Sequence, residues 1–285
     1  MENNLILENG STSGKWNFNG ALEYVDQWIL MKTPYPLIII TISYLLFVVS
    51  VGPRLMKNRP PISMNNFLIL YNIFQVAFSL YLCYIGTSLL WRNGLIGKSC
   101  LLEIPESRYT ITTSIYTYFI AKVTELLDTI LFVLRKKDNQ VTFLHVYHHL
   151  TVMWCTWFNL KYEPSYNTIF LGTLNSYVHV IMYTYYGMSA VPELAKNLWW
   201  KKYITSLQLV QFVLILLHAV ASAIYPGCPP TYTLILMINV NASLFIYLFG
   251  KFYINTYTNT KVLKNQKRET ENDQDLLDAY LDKIK

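Results

Sequence analysis

Charged residues are scarce in this sequence, and so are cysteine and histidine. Of its 285 residues only 14% are charged and 53% are hydrophobic, whereas an ordinary soluble domain has about 25% charged residues. This composition excludes a soluble globular protein and predicts an all-α integral membrane protein, whose partner is the lipid bilayer. Glycine and proline fall mainly in the predicted loops, so the helices lack the central interruptions that are common in transporters.

Seven stretches have the length of about 17 to 25 mostly apolar residues that a membrane helix needs. They cover residues 36–52, 66–91, 110–134, 141–158, 167–188, 203–225 and 231–254. Residues 1–33 are mixed polar, without the basic start and apolar core of a signal peptide, so we expect the first stretch to be a true membrane helix. The predicted domains are a seven-helix transmembrane domain, 1–260, and a charged, mobile cytosolic tail, 261–285.

Lys and Arg are concentrated in alternate loops. Three lie in 53–65, three in 135–140 and three in 189–202, and the tail adds more. Of the intervening loops, 159–166 holds Lys161 alone and 226–230 holds none, while the three in 92–109 are partly offset by Glu103 and Glu106. Because cytosolic loops are enriched in Lys and Arg, we expect a luminal N-terminus and a cytosolic C-terminus. The glycosylation sequon at Asn9 then lies in the lumen. Cys100 and Cys228 fall on two different luminal loops, in an oxidising compartment where they could form a disulfide.

Three of the five histidines lie in the run FLHVYHHLTVMWCTWF, as His145, His148 and His149. At this spacing the rings project from one helical face within an arc of about 100°. Ionisable residues inside a membrane helix are expensive and usually mark a functional site. The fifth histidine, His218, lies nearer the lumen, and we interpret it as a packing residue.

Other polar side chains are predicted to lie in the same layer as the histidines. With a rise of 1.5 Å per residue, the layer is roughly 8 to 14 Å below the cytosolic ends of the helices. The groups come from three further spans: Lys122, Glu125 and Asp128; Asn175 and His179, with Tyr186 on the same stripe; and Thr205, Gln208 and Gln211. Such residues can serve only to join helices by hydrogen bonds. So many ionisable groups in one layer favour a reaction site, with Lys122 and Glu125 as a supporting ion pair.

Two other protein classes are compatible with polar residues at this depth. A histidine-box metal enzyme, such as a desaturase or hydroxylase, needs many imidazoles, and iron also accepts carboxylates. Four histidines with Glu125 and Asp128 could hold one metal but are few for two. A seven-helix receptor or a transporter also keeps ionisable residues at mid-depth, but neither requires a three-histidine face. Acyl transfer suits the cluster better, because imidazole acts as a base or as a nucleophile.

Five motifs in order carry a resemblance to a known family: KVTELLDT, LHVYHH, NSYVHVIMYTYY, TSLQLVQ and LFGKFYINTY, spanning residues 122–257. They resemble the very-long-chain fatty acid elongases of animals. The resemblance implies a 3-oxoacyl-CoA synthase (an acyltransferase) of the endoplasmic reticulum membrane, which condenses a long-chain acyl-CoA with malonyl-CoA and releases CO2 and CoA. It also implies that six helices form a barrel around a narrow acyl tunnel, with the first span outside.

The resemblance further implies roles for individual residues. It makes His148 the nucleophile that forms an acyl-imidazole, with His179 and Asn175 positioning malonyl-CoA and stabilising the enolate. His145 and His149 would orient groups or relay protons, and either Asp128 or Glu125 would fix a tautomer. No metal and no cofactor is expected. A thiol nucleophile at Cys155 is the alternative, although it lies about 10 Å along the helix from His148.

Substrate binding is predicted at the polar layer and at the basic rim of the cytosolic face. The expected binding residues are Lys122, Gln208, Gln211, Tyr186, Lys136 and Lys202, the last two from a rim set that also holds Arg135, Lys137, Lys201 and Lys251. Cations at this rim suit the phosphates of coenzyme A. Other enzymes of the elongation cycle are candidate partners, and no nucleic acid is expected to bind.

Overall fold

A computed structural model of the chain describes residues 18–97, 100–225 and 229–259. Asn9, Cys228 and the tail 261–285 lie outside these described residues. The glycosylation at Asn9, the Cys100–Cys228 disulfide and the cytosolic tail therefore stay predictions.

The described part of the chain is all-helical, without a strand, and has seven helices of 20 residues or more. They are α1 Tyr35–Met56, α2 Asn65–Asn93, α3 Pro105–Leu134, α4 Phe143–Tyr162, α5 Thr168–Ser189, α6 Lys201–Ile224 and α7 Tyr232–Tyr253. A π-helical turn, Ile254–Asn259, continues α7. The predicted spans agree with these helices to within about five residues at each end. Helix α3 begins five residues earlier than predicted, at Pro105. Proline suits the first turn of a helix, because a backbone N–H at that position would have no partner within the helix.

Among the described residues, four of the seven helices are long and apolar enough to cross a membrane: α1, α2, α6 and α7. Helices α3, α4 and α5 carry Lys122, the three clustered histidines and Asn175, which lower their hydropathy. Several apolar helices in one chain indicate a multi-pass membrane protein.

Side-chain packing pairs the long helices. Helix α2 packs along α5, and the two come close at Gly86, where an added Cβ would lie 2.0 Å from Thr173 Oγ1. Further pairs are α2 with α3, α3 with α4, α4 with α7, α7 with α6, and α6 with α5. Helix α1 packs against α3. The residues that carry the predicted chemistry therefore face one another from α3, α4, α5 and α6.

The segment before α1 is folded onto the end of α4. Lys161 is fully buried, and its ammonium donates to Asp26 Oδ1 at 2.5 Å and to the Met31 carbonyl at 2.7 Å. Trp157 donates to the Leu30 carbonyl at 2.8 Å. The expectation that Lys161 lies on a loop was wrong, because the buried ion pair with Asp26 lets α4 continue to Tyr162.

Candidate active site

Two cavities meet between the helices. The apolar cavity has an empty volume of about 1030 Å³, including its mouth, and is lined by α2 to α7 with side chains such as Ile115, Val152, Ile215 and Ile238. The polar pocket, about 1420 Å³ by the same measure, lies beside the α3–α4 loop and the π-helical turn after α7. Of the described residues, those that line both cavities are His148, Asn175, Gln211 and Phe212. We call these four residues the junction.

The histidine cluster lies in the first two turns of α4. Thr142 caps this helix, and its hydroxyl oxygen accepts from the backbone N–H of His145 at 3.2 Å. The His145 and His149 rings have centroids 4.4 Å apart, and the His148 ring is 5.5 Å from that of His149. The three rings are thus in contact, as the i, i+3, i+4 spacing predicts.

His148 differs from His145 and His149 because its ring faces aromatic side chains. Its ring centroid lies 5.0 Å from Phe245, 6.0 Å from Phe249 and 6.2 Å from Phe212. His145 and His149 line the polar pocket only, whereas His148 also reaches the apolar cavity. His148 therefore lies where an apolar chain and a polar head group can be bound side by side.

Glu125 is the acid that lies beside the histidines. It is 2% exposed and accepts from the Lys122 ammonium at 2.8 and 3.0 Å. Its carboxylate is 3.2 Å from His179 Nδ1 and 3.9 Å from His149 Nδ1. At 3.2 Å the Glu125 carboxylate is in electrostatic contact with the His179 ring. The predicted ion pair of Lys122 and Glu125 is confirmed.

Asp128, the other candidate acid, contacts a tyrosine. Its Oδ2 accepts from the Tyr183 hydroxyl at 2.7 Å, and the residue also lines the polar pocket. The sequence left open which of the two acids supports the histidines. The structure places Glu125, and not Asp128, next to His149 and His179.

Several buried polar atoms in this region have no hydrogen-bond partner among the described residues. They are His145 Nε2, His149 Nδ1, His179 Nδ1, Gln211 Oε1 and the Tyr257 hydroxyl oxygen. Buried polar atoms are normally paired, so unpaired ones mark functional regions or bound molecules. All five belong to residues that line the polar pocket. His179 Nδ1 faces the Glu125 carboxylate, whereas His145, His149, Gln211 and Tyr257 have hydrogen-bonding capacity to offer a ligand there.

The predicted substrate-binding residues divide into two groups. Gln208, Gln211 and Tyr186 line the polar pocket. The three lysines do not: Lys122 is engaged by Glu125 and Asn175, Lys136 donates to the Lys57 carbonyl at 3.4 Å, and Lys202 lies 4.8 Å above the Tyr203 ring. Their role in substrate binding stays a prediction. Lys201, another member of the rim set, lines the pocket instead.

The sequence interpretation missed two tyrosines. Tyr118 donates to Asn175 Oδ1 at 2.8 Å, and Tyr257 lines the polar pocket from the π-helical turn. Tyr118 lies one helical turn before Lys122, so its spacing to the polar stripe of α3 was a usable signal. Nothing in the local sequence distinguished Tyr257 from the many other tyrosines.

Two residues outside the junction help to delimit the site. Cys155 lines the apolar cavity, where Asn241 approaches its sulfur at 3.8 Å. His218 is bound to the Leu95 carbonyl at 2.9 Å and stacks on Phe170 with centroids 4.2 Å apart. The interpretation of His218 as a packing histidine is confirmed. Within the described residues no group of three His, Cys, Asp or Glu side chains is arranged to hold a metal ion.

Comparison with known proteins decides the family. The family model described as ELO, the GNS1/SUR4 family, matches residues 29–265. The chain belongs to the ELO family. The match covers every residue of the junction and both acids, so the site lies wholly within the matched region.

Relatives of this ELO protein are named very long chain fatty acid elongases. Elongase 7 of Rattus norvegicus is 41% identical over 238 residues, 82% of this chain and 85% of the rat protein. Elongase 4 of Homo sapiens is 39% identical over 259 residues, 89% of this chain and 81% of the human protein. An Aedes aegypti relative is 42% identical over 82% of this chain, which spans 66% of the mosquito protein's length. These relatives support fatty acid elongation in general terms.

Proposed function

We propose that this ELO protein condenses a long-chain acyl-CoA with malonyl-CoA, giving a 3-oxoacyl-CoA two carbons longer with release of CO2 and CoA. The observation that carries the proposal is the position of His148 at the junction of an apolar cavity and a polar pocket. An acyl chain fits the apolar cavity and a coenzyme A head group fits the polar pocket. The reacting thioester between them would then lie against the His148 ring.

In the first half-reaction the free ring nitrogen of His148 attacks the thioester carbonyl carbon. A C–N bond forms, the C–S bond breaks, and the ring N–H proton passes to the departing thiolate, leaving acyl-His148 and CoA. Imidazole is a competent covalent nucleophile in acyl transfer. Phe212, Phe245 and Phe249 around the ring limit the approach of water to the acyl-imidazole.

In the second half-reaction malonyl-CoA binds in the polar pocket and loses CO2. The resulting enolate carbon attacks the acyl carbon, the C–N bond to His148 breaks, and the imidazole takes up one proton from solvent. Asn175 is suited to stabilise the enolate oxygen, because it lines this pocket and hydrogen-bond donors stabilise developing negative charge. His179, which lines the same pocket, is suited to position malonyl-CoA. This chemistry requires neither a metal nor a bound cofactor.

The proposal includes the arrangement of the helices in a membrane. We propose that α2 to α7 form a six-helix barrel around the apolar cavity, with α1 outside, and that all seven helices cross the endoplasmic reticulum membrane. Support comes from the packing pairs, which lead from α2 through α3, α4, α7, α6 and α5 back to α2. The alternation of Lys and Arg between loops supports a luminal N-terminus and a cytosolic C-terminus.

The test compares His148→Ala with Cys155→Ala in purified protein. We expect His148→Ala to abolish 3-oxoacyl-CoA formation while it still inserts and folds, because it removes the nucleophile alone. Mass spectrometry of unaltered protein exposed to acyl-CoA without malonyl-CoA should find the acyl group on His148, and Cys155→Ala should retain this adduct. An adduct on Cys155, or undiminished condensation by His148→Ala, would contradict the proposal.

A further inference from the structure

Lys122 is a buried cation whose hydrogen bonds all go to protein groups near the proposed reaction. It is 2% exposed, and its ammonium donates to both Glu125 oxygens and, at 2.7 Å, to Asn175 Oδ1. It also lies 4.6 Å from the centroid of the Tyr118 ring. It does not line either cavity, so Lys122 can affect a substrate only through these neighbours.

The first neighbour is Asn175, whose side-chain amide has one acceptor oxygen and one donor nitrogen. An ammonium group only donates, so the atom that faces Lys122 must be the amide oxygen. The Tyr118 hydroxyl donates to the same oxygen at 2.8 Å. Two donors thus hold Oδ1 on the protein side, and Nδ2, which has no partner among the described residues, is left for the cavities that Asn175 lines. Lys122 and Tyr118 make Asn175 a hydrogen-bond donor toward the junction.

The second neighbour is Glu125, which Lys122 holds with two hydrogen bonds. This places the carboxylate 3.2 Å from His179 Nδ1. A carboxylate beside one ring nitrogen favours the proton on that nitrogen. The other ring nitrogen, Nε2, is then unprotonated and available to a ligand in the polar pocket that His179 lines. One ammonium group therefore positions two side chains on α5.

We infer that Lys122 is a positioning residue for the second half-reaction, in which it sets the orientation of Asn175 and, through Glu125, of His179. This inference rests on the proposed function. Asn175 and His179 are the residues that we assign to malonyl-CoA and its enolate. In the acylation step, by contrast, the nucleophile is His148 itself. Loss of Lys122 should accordingly slow condensation much more than acylation.

The experiment measures the two half-reactions separately in Lys122→Met. Met keeps most of the aliphatic stem and removes the ammonium. Acylation is followed as the rate of acyl-His148 formation from acyl-CoA alone, and condensation as CO2 release from labelled malonyl-CoA added to the acylated protein. Misplacement of a reacting group by about 1 Å can reduce a rate about 100-fold. We expect a loss of that order in condensation, with far less change in acylation.

Lys161→Met is the matched control. It also removes a fully buried lysine that is paired with a carboxylate, but at the far end of α4 and outside the site. We expect it to lower stability without changing the ratio of the two half-reaction rates. If Lys122→Met and Lys161→Met alter that ratio equally, Lys122 has only a structural role and the inference is wrong.

A second variant tests the inference even if Lys122→Met does not fold. Tyr118→Phe removes one of the two donors to Asn175 Oδ1 and keeps the ring that lines the apolar cavity. It should show the same selective loss in condensation, to a smaller extent, and no additional loss when it is combined with Asn175→Ala. Additive losses, or equal slowing of both half-reactions, would overturn the inference. Absence of an acyl adduct in the unaltered protein would instead overturn the proposed function and, with it, this inference.

Discussion

Replacing Asp26 with Asn should destabilise the protein more than replacing its partner Lys161 with Met. The side chain of Lys161 is 0% exposed and that of Asp26 is 20% exposed. Asp26→Asn leaves a buried cation with only neutral acceptors, the carbonyls of Met31 and Lys32. Breaking a buried ion pair in this way lowers stability by about 3 to 5 kcal/mol.

Lys161→Met leaves the Asp26 carboxylate without its cation, and this carboxylate is easier to satisfy than a buried ammonium. The Asp26 carboxylate keeps its hydrogen bond from the Gly20 N–H at 2.9 Å and is partly exposed, so water can reach it. Met also fills the space of the lysine stem. We expect a loss of about 1 to 3 kcal/mol, the range for one unsatisfied polar group. The double variant should be more stable than Asp26→Asn alone, because no buried cation remains.

The assay is thermal unfolding in detergent, followed by a thiol-reactive dye. Cys83 and Cys155 are free, and Cys83 is only 4% exposed, so labelling reports loss of helix packing. For a chain of this size a loss of 1 kcal/mol lowers the midpoint temperature of unfolding by about 2 to 4 °C. The midpoint should therefore fall by on the order of 10 °C in Asp26→Asn and by about a few degrees in Lys161→Met. All variants need the same scan rate, since membrane proteins often unfold irreversibly. An equal or larger fall for Lys161→Met would refute the reasoning about the buried cation.

Two further predictions concern the metal and the disulfide. Purified protein should keep condensing activity in chelator, as the proposed reaction uses no metal; activity that is lost in chelator and restored by iron would favour the histidine-box oxygenase. Non-reducing peptide mapping should join Cys100 to Cys228, for which the chain-entropy model gives about 4 to 5 kcal/mol. Finding both thiols alkylatable in native protein would exclude the disulfide, and labelling them from the cytosolic side would exclude the topology as well.

The helices and the polar layer were predictable because both follow from local sequence patterns. Apolar runs define membrane helices to within a few residues, and the spacing of His145, His148 and His149 fixes their common face. Depth counted at 1.5 Å per residue from the cytosolic helix ends is why Glu125 and His179 were expected in one layer. Hydropathy carries no information on which helix packs beside which, so the neighbours of α4 could not be derived from it.

Contacts between distant segments were not predictable from local patterns. The sequence alone predicts a loop cation at Lys161, because its partner, Asp26, is 135 residues away and lies in a mixed polar segment. The positions of the rim lysines were not predictable for another reason. A lysine side chain is long and flexible, so sequence position alone does not tell that Lys201 lines the pocket while Lys202 lies over a tyrosine ring.

The polar groups of the site differ in whether their hydrogen bonds are already satisfied by the protein. The charged groups are already satisfied, because Lys122 is paired with Glu125 and Asp128 accepts a hydrogen bond from Tyr183. The unpaired atoms belong to side chains that can be neutral, namely histidines, Gln211 and Tyr257. A buried neutral group without a partner is far less costly than a buried charge without one. The site can therefore keep its hydrogen-bonding capacity for a ligand within an apolar helix bundle, provided that Lys122 and Glu125 stay paired.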